Sequence, residues 1–409
     1  MKKKLILMSA ALAAVATFTG CSSDDDVLAQ GQEPVAQKKG TPFSVVVTDE
    51  TGTTRATLID GTTLTNFKLY GKQGTNTPWI NGNVFKLEDS KWNPYAGTTL
   101  VEMSWPTEDT ETASNFYAYS DNSADGITVA ATPTTSCVTT DNLANGSFVY
   151  QFYTDPNEHT LAGGVGKTSV ALDGNTVIDL SKQSDILVAS TTQNEATGTT
   201  VPLNFRHALA SLCIKARFLS TYKGNSQGVN ANAIVRIYWI RIHGLKGGGT
   251  FTFPATDNYD TSTHRWGTSP WTTTGGSDVV YEWKFVGDDD VMTKTDVGKD
   301  VPAQAHTAEQ SDKDIVKTEL IPHAQLMVIP QTFTPWADIT SATQSNCYVE
   351  ICCAPNAEAT RPRRAVYYLP LKNSGNEILT GVKHTITLPL EQIVKSTGGY
   401  YFEPTTFNE

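Results

Sequence analysis

The chain has 409 residues, of which 42 are acidic and 31 basic, so its formal net charge is −11 at pH 7. This acidic balance argues against electrostatic binding to nucleic acid or to anionic lipid. Charged side chains make up only 18% of the residues and hydrophobic ones 39%. That composition is typical of a secreted β protein with polar loops, and the length predicts about two to three domains.

The N-terminus has the pattern of an export signal. Lys2–Lys4 form a basic start, and Leu5–Phe18 is an apolar stretch too short to remain as a spanning helix. The Thr-Gly pair before Cys21 resembles the lipobox of bacterial lipoproteins, in which the chain is cut before the cysteine and the thiol carries diacylglycerol. We therefore predict a signal peptide over residues 1–20 and a lipidated, acidic tether over residues 21–40, with an ordinary secretory signal as the alternative.

A short apolar strand follows the tether. Phe43, Val45 and Val47 occupy alternate positions and are predicted to share one face. A polar turn and a lone arginine, Arg55, come next in a Thr-rich, exposed segment. A strand joined to its protein through a protease-accessible arginine can be removed after folding, which would leave an open slot for a strand from another molecule. We therefore predict that residues 41–55 are removable.

Strand patterns separated by turn signals continue along the chain, without amphipathic helices between them. The predicted strands are Leu64–Leu69, Trp79–Leu87, Leu100–Trp105, Asn115–Tyr119, Ser184–Ser190, Val201–Phe218, Ile234–Ile242, Gly247–Phe253, Tyr281–Val286, Leu326–Ile329, Cys347–Cys353, Ala365–Leu371 and Lys383–Leu390. The charged Gly287–Glu319 is interpreted as a surface loop, and the polar Ser190–Thr200 as a linker. The predicted fold is all-β, with one β-sandwich domain over residues 41–195 and a second over residues 196–409.

No set of residues for catalysis, cofactor binding or metal binding stands out. The seven histidines are scattered, and the cysteines other than Cys21 have irregular spacing that does not indicate a disulfide framework. Ala162–Thr168 looks like a phosphate-binding loop, but Leu161 stands where the first glycine belongs. We predict no enzyme, no cofactor and no metal site. The acidic run Asp288–Asp290 leaves weak surface calcium binding open, and exposed tryptophans leave glycan binding open.

Several motifs together resemble the fimbrillin family, the Mfa-like subunits of lipid-anchored type V pili. The resemblance covers nearly the whole chain and depends on the order and spacing of loose motifs. After the lipobox and acidic run, these motifs are TTRATL with LTNFKLYG, SWP followed by NFYAY, VPLNFRHALASL, GGGTFTF, VIPQTF, YYLPL and LTGVKHTITLPL.

The resemblance implies two transthyretin-like β-sandwich domains and a defined processing route. The subunit would be exported as a lipoprotein and held in the outer membrane through Cys21. An arginine-specific protease would then cut after Arg55, leaving Ala56 as the new N-terminus and releasing the strand that carries Phe43, Val45 and Val47. The processed subunit would belong to a fimbrium at the cell surface.

The C-terminal tail, residues 391–409, is the candidate donor strand. It carries aromatic side chains beyond the last predicted core strand, among them Tyr400, Phe402 and Phe407. The resemblance implies that the tail of an adjoining subunit fills the groove left by the removed strand. The implied partners are other fimbrillin subunits and the protease, and a host glycan or protein receptor is left open. The alternatives are a tip or accessory adhesin of the same pilus and a surface glycan-binding lipoprotein.

Overall fold

A computed structural model gives the structure of the chain, which divides into two compact units, Met1–Lys39 and Gly40–Glu409. The first unit lies outside the described residues. The described residues are 40–49, 63–74, 78–106, 112–120, 138–151, 176–178, 185–219, 232–254, 259–260, 265–273, 278–285, 298–304, 315–322, 326–335, 346–354, 365–372, 375–391 and 405–408.

Strands dominate the described residues, as the sequence predicts. The first strands are β1 Ser44–Asp49, β2 Asn66–Gln73, β3 Ile80–Glu88, β4 Lys91–Ala96, β5 Thr99–Leu100, β6 Ser114–Ser120, β7 Val138–Asn142, β8 Ser147–Gln151, β9 Thr176–Ile178, β10 Leu187–Gln193, β11 Thr200–His207, β12 Ala210–Arg217, β13 Ile234–Lys246 and β14 Gly248–Thr252. The remaining strands are β15 Tyr259–Asp260, β16 Arg265–Trp266, β17 Trp271–Thr272, β18 Asp278–Lys284, β19 Lys299–Pro302, β20 Thr318–Ile321, β21 Met327–Val328, β22 Gln331–Thr332, β23 Thr334–Pro335, β24 Asn346–Ala354, β25 Ala365–Lys372, β26 Glu377–Ile378, β27 Lys383–Pro389 and β28 Thr405–Asn408. Short 3-10 helices span Leu143–Asn145 and Glu195–Thr197.

An eight-stranded sheet is built mainly from the N-terminal half, in the order β1-β11-β10-β6-β2-β3-β4-β5. β1 pairs with β11 in parallel, whereas the other neighbours pair antiparallel. Alternate residues of β2 are buried, as expected for a strand with one face on a core.

The eight-stranded sheet curls around one hydrophobic core. Phe43 precedes β1 at one end of the sheet, yet its ring lies 6.3 Å from that of Phe85 on β3, near the other end. Phe116 on β6, in the middle of the sheet, stacks on the Phe43 ring, with the two ring centroids 5.7 Å apart. The two ends of the sheet therefore meet over a shared core.

A twelve-stranded sheet is built mainly from the C-terminal half, and a four-stranded sheet joins strands from both halves. The large sheet has the order β20-β12-β27-β28-β25-β24-β13-β18-β9, with β19, β21 and β23 paired alongside. The four-stranded sheet has the order β17-β14-β8-β7, and two small sheets pair β15 with β16 and β22 with β26. β8 and β14 pair over five residues, from Gly248 opposite Gln151 to Thr252 opposite Ser147. Strand pairing therefore does not separate the chain at residue 195.

Ser190–Thr200 is not a linker: it contains the end of β10, the short connection to β11 and the first residue of β11, all within the eight-stranded sheet. β10 and β11 pair antiparallel on either side of it. The side chain of Asn194 caps the short 3-10 helix by accepting a hydrogen bond from the Thr197 N–H at 2.9 Å. Apart from β9, the strands that the N-terminal half gives to the twelve-stranded sheet come after His207, beginning with β12.

Candidate functional site

β1 is the end strand of its sheet and contacts β11 along its whole length. The register runs in parallel from Ser44 opposite Thr200 to Asp49 opposite Phe205. The Ser44 N–H donates to the Thr199 carbonyl oxygen at 3.3 Å. Because an end strand has one ladder partner, it leaves its sheet at a smaller cost in backbone hydrogen bonds than a central strand would.

The backbone just before β1 is held on its other side by the segment Met103–Trp105. The Phe43 N–H donates to the Met103 carbonyl oxygen at 3.0 Å, and the Trp105 N–H donates to the Thr41 carbonyl oxygen at 2.9 Å. The indole N–H of Trp105 donates to the carbonyl oxygen of Thr199 at 3.2 Å. We call the space between β11 and Met103–Trp105 the edge slot; it holds β1 and the residues that precede it.

Phe43 fills an aromatic pocket in this slot. Its ring centroid lies 5.2 Å from Trp79, 5.6 Å from Trp105, 5.7 Å from Phe116 and 6.3 Å from Phe85. We call these four rings the Phe43 pocket. Edge-to-face and offset-stacked pairs at such distances add to the stabilisation from burial.

The two faces of β1 differ in chemistry. Val47 is fully buried in the same core, and Val45 packs against it while half-buried. On the outer face, the Ser44 and Thr200 hydroxyls are hydrogen-bonded at 2.7 Å, and the Thr48 hydroxyl donates to the Asn204 side chain. Burying Phe43 and Val47 stabilises the fold by about 3–6 kcal/mol.

The proposed cut and the proposed lipidation fall outside the described residues. β1 ends at Asp49, and the next described residue is Thr63, so Arg55 and Ala56 lie in the undescribed connection to β2. Cys21 lies in the undescribed N-terminal unit.

Part of the C-terminal tail lies in the chain's own twelve-stranded sheet. The backbone of β28 pairs in parallel with β25, with Leu371 opposite Thr405, and antiparallel with β27, with Ile386 opposite Phe407. Tyr400 and Phe402 lie outside the described residues. To donate this segment, a subunit would first have to release β28 from its own sheet.

The start of the tail is fixed by a buried ion pair. Glu391 is 1% exposed, and one of its carboxylate oxygens accepts from Arg217 Nε at 3.0 Å and from a terminal guanidinium nitrogen at 2.8 Å. Breaking such a pair by removing one partner is costly, because the other charge stays buried. Any movement of the tail therefore begins beyond Glu391.

Two buried polar networks that the sequence analysis did not identify stabilise the sheets. Arg241 is 1% exposed, lies over the Trp239 ring at 3.7 Å and forms an ion pair with Glu282 at 2.5 Å. Its neighbour His243 contacts Glu350 at 2.8 Å. The positive and negative side chains are paired with one another, so we assign this network a structural role on the face of the twelve-stranded sheet.

The second network joins the eight-stranded sheet to the four-stranded one. Asp141 on β7 accepts from Lys68 Nζ at 2.5 Å and from the Tyr70 hydroxyl at 3.1 Å, both on β2. It also accepts from the backbone N–H of Leu143 at 3.1 Å. Burial and the nearby Asp141 carboxylate raise the pKa of Tyr70, so this hydroxyl stays protonated and remains a donor.

The described cysteines are buried. Cys213, Cys347, Cys352 and Cys353 are free thiols. Burial raises the pKa of the Cys213 thiol to about 11, and it raises the pKa values of Cys347 and Cys353 as well. Because the thiolate is the reactive form, these side chains behave as small hydrophobic residues.

Other kinds of site find little support in the described part of the chain. Within it, no three His, Cys, Asp or Glu side chains come together as a metal site would require. In that same part of the chain, no helix has the length and apolar character needed to cross a membrane.

Solved structures from Bacteroides and Parabacteroides species resemble this chain at low sequence identity. A candidate cell adhesion protein from Bacteroides uniformis has 13% identity and a TM-score of 0.37, with 85% of this chain and 94% of that chain covered. A candidate cell adhesion protein from Bacteroides eggerthii has 11% identity and a TM-score of 0.38, with 90% and 96% covered. A fimbrial assembly protein from Parabacteroides distasonis has 12% identity and a TM-score of 0.31, with 85% and 90% covered. No curated protein sequence matches the chain at a significant level.

Because these TM-scores are low, the family assignment depends on a different comparison. The family model described as fimbrillin-like matches residues 36–403. This match starts before β1, includes the edge slot and every strand of the two large sheets except β28, and ends just before β28. A match over so much of the sequence leads to one conclusion: the chain belongs to the fimbrillin-like family.

Proposed function

We propose that this chain is a structural subunit of a cell-surface pilus that assembles by strand exchange at the edge slot. Family membership supports the pilus role. The observation that carries the exchange is the dual character of β1: it is the end strand of its sheet, and its segment nevertheless supplies Phe43 and Val47 to the core. Such a strand is removable, and its removal would expose apolar core surface and unpaired backbone groups that another strand can cover.

Proteolysis after Arg55 would convert a filled slot into an acceptor. In the uncut chain, β1 is tethered to β2 and refills the slot after every opening. Once the connection is cut, the effective concentration of β1 falls to its low concentration in solution, so a lost strand seldom returns. The burial of Phe43 and Val47, about 3–6 kcal/mol, keeps the uncut precursor closed and prevents early polymerisation.

The replacement strand would come from the C-terminal tail of a second copy. Its aromatic residues Tyr400, Phe402 and Phe407 offer the apolar surface that the vacated core requires. The pairing of β28 within its own sheet covers only a few residues on each side. At about 0.5–1.5 kcal/mol for each backbone hydrogen bond, releasing this short ladder would cost a few kcal/mol, and burial of an aromatic residue in the slot would offset that cost.

The precursor would reach its place of assembly as a lipoprotein. The signal pattern and the residues before Cys21 support acylation there, which would anchor the precursor in the outer membrane until processing. Processing after Arg55 would separate the folded subunit from this anchor and free it for the fimbrium at the cell surface.

A tip or accessory subunit of the same pilus is the second candidate. The pairing of β28 with β25 and β27 favours it, because a subunit whose tail stays in its own sheet accepts a strand without donating one. Deleting residues 400–409 separates the two candidates: a shaft subunit loses chain extension, whereas a tip subunit still joins the end of a fibre.

The substitution Arg55→Lys tests the proposal with little change in charge or length. An arginine-specific protease does not cut after lysine, so we expect this variant to stay unprocessed and monomeric. Brief treatment with trypsin, which cuts after lysine, should restore polymerisation. Electron microscopy of sheared surface material measures both results. Fibres of normal abundance from untreated Arg55→Lys cells would contradict the proposal.

A further inference from the structure

We infer that the Phe43 pocket selects the incoming strand by requiring an aromatic side chain at the position of Phe43, and that Phe402 of a second copy supplies it. This inference rests on the proposed function. Strand exchange by itself does not say which residue of the incoming strand occupies the pocket. The inference names that residue and so fixes the register of the incoming strand.

The pocket keeps its shape without Phe43 because hydrogen bonds fix its two indole rings. The Trp79 indole N–H donates to the Ser114 hydroxyl at 3.3 Å, and the Trp105 indole N–H donates to the Thr199 carbonyl oxygen at 3.2 Å. Rings held in this way cannot collapse into a vacated space, so a small side chain at this position would leave a cavity. An aromatic ring restores the contacts of Phe43 with all four rings of the pocket.

The neighbouring positions of β1 are less demanding. Val45 is half-buried, and Val46 is 41% exposed on the opposite face. Substitutions at those positions therefore remove little buried surface. Val47 is the second buried position, at 1% exposed. With Phe402 in the pocket, Thr406, which has the branched shape of valine, takes the place of Val47, so the aromatic anchor is the main source of selection.

The backbone contacts around Phe43 set the register of the anchor. The anchor residue must donate its N–H to Met103, and the next residue must donate its N–H to Thr199, as Phe43 and Ser44 do. Neither of these two positions can therefore be proline. In a parallel ladder, only every second residue directs its backbone N–H and C=O towards a given partner strand. The N–H of Val45 therefore points away from β11, and proline is tolerated at this position.

Phe402 meets these requirements in the tail sequence Phe402-Glu403-Pro404. With Phe402 in the pocket, Glu403 takes the place of Ser44, and Pro404 takes the place of Val45, where no N–H is needed. Tyr400 is disfavoured because both indole N–H groups of the pocket already have acceptors, which leaves its buried hydroxyl without a partner among these rings.

Peptide binding to the cut protein tests the pocket without any risk of misfolding. The full chain is cleaved after Arg55, and a labelled peptide of residues 41–54 is exchanged into the slot. We expect Phe43→Ala in the peptide to weaken binding about 150- to 700-fold, as for the truncation of a buried aromatic ring. The matched control Val46→Ala, on the exposed face, should change binding less than about twofold.

A peptide of residues 398–408 should compete for the same slot. Phe402→Ala should abolish competition, Phe402→Tyr should weaken it, and Tyr400→Ala should leave it nearly unchanged. Binding of the Phe43→Ala peptide within threefold of the parent would overturn the pocket selection. Competition that depends on Tyr400 and not on Phe402 would overturn the assigned anchor. If the parent peptide of residues 41–54 fails to bind, the proposed function itself fails, an outcome distinct from both.

Discussion

Replacing Phe43 by alanine in the uncut precursor should lower its free energy of unfolding by about 3–4 kcal/mol. Phe-to-Ala substitutions in protein cores cost about 3–5 kcal/mol, and Phe43 is 9% exposed among four aromatic rings. The loss has an upper limit, because a weakened β1 can detach while the remaining strands stay folded. The total contribution of β1 to stability therefore caps the effect.

Urea denaturation followed by tryptophan fluorescence measures this loss, since Trp79 and Trp105 both contact the Phe43 ring. The matched control is Val46→Ala on the exposed face of β1, which should change the free energy of unfolding by less than about 0.5 kcal/mol. Faster cleavage of the Phe43→Ala precursor by an arginine-specific protease should accompany the loss. If Phe43→Ala and Val46→Ala cost the same, the claim that β1 is an integral part of the core is wrong.

Three further predictions concern groups outside the slot. Asp141→Asn should lower the free energy of unfolding by about 2–3 kcal/mol in urea denaturation, because Lys68 loses its buried carboxylate partner; a loss below about 0.5 kcal/mol would contradict the role of this network. Glu391→Gln should speed proteolysis of the tail, measured by mass spectrometry, since Arg217 would lose its charged partner; an unchanged rate would show that the tail is held elsewhere. Cys213 should resist a thiol reagent at pH 8 in the native protein and react after unfolding, because burial raises the pKa of its thiol to about 11 and so keeps it protonated; labelling of the native protein would contradict this.

Hydrophobic alternation was a reliable guide to individual strands. The pattern around Asn115–Tyr119 lies within β6, and the alternation in Cys347–Cys353 falls within β24, with the odd-numbered residues in the core. Successive side chains of a strand point to opposite faces, so a local alternation is enough to indicate a strand. The all-β fold followed from the same pattern.

Pairing between distant strands could not be predicted in this way. Ser190–Thr200 has the composition of a linker, yet it contains the end of β10, the short connection to β11 and the first residue of β11, since composition does not distinguish a linker from a connection within one sheet. The predicted surface loop Gly287–Glu319 contains β19, which is short and polar but pairs with β13. The pairing of β8 with β14 joins segments about a hundred residues apart, and no local signal marks such a contact.

The sequence predicted the strand that fills the edge slot but not the pocket that receives it. Phe43, Val45 and Val47 indicated a strand with one apolar face. The pocket around Phe43 is assembled from β3, β6 and the segments before β3 and after β5, and it depends on backbone contacts to Met103 that no side-chain pattern encodes.

The central claim is that β1 leaves the subunit when the pilus forms and that another strand takes its place. The most direct measurement is N-terminal sequencing, combined with intact mass, of the protein recovered from sheared fibres and washed in high salt. The account predicts that the chain in fibres starts at Ala56 and that no fragment carrying Phe43 or Val47 remains bound. Fibres whose subunits still retain that segment, cut or uncut, would contradict it.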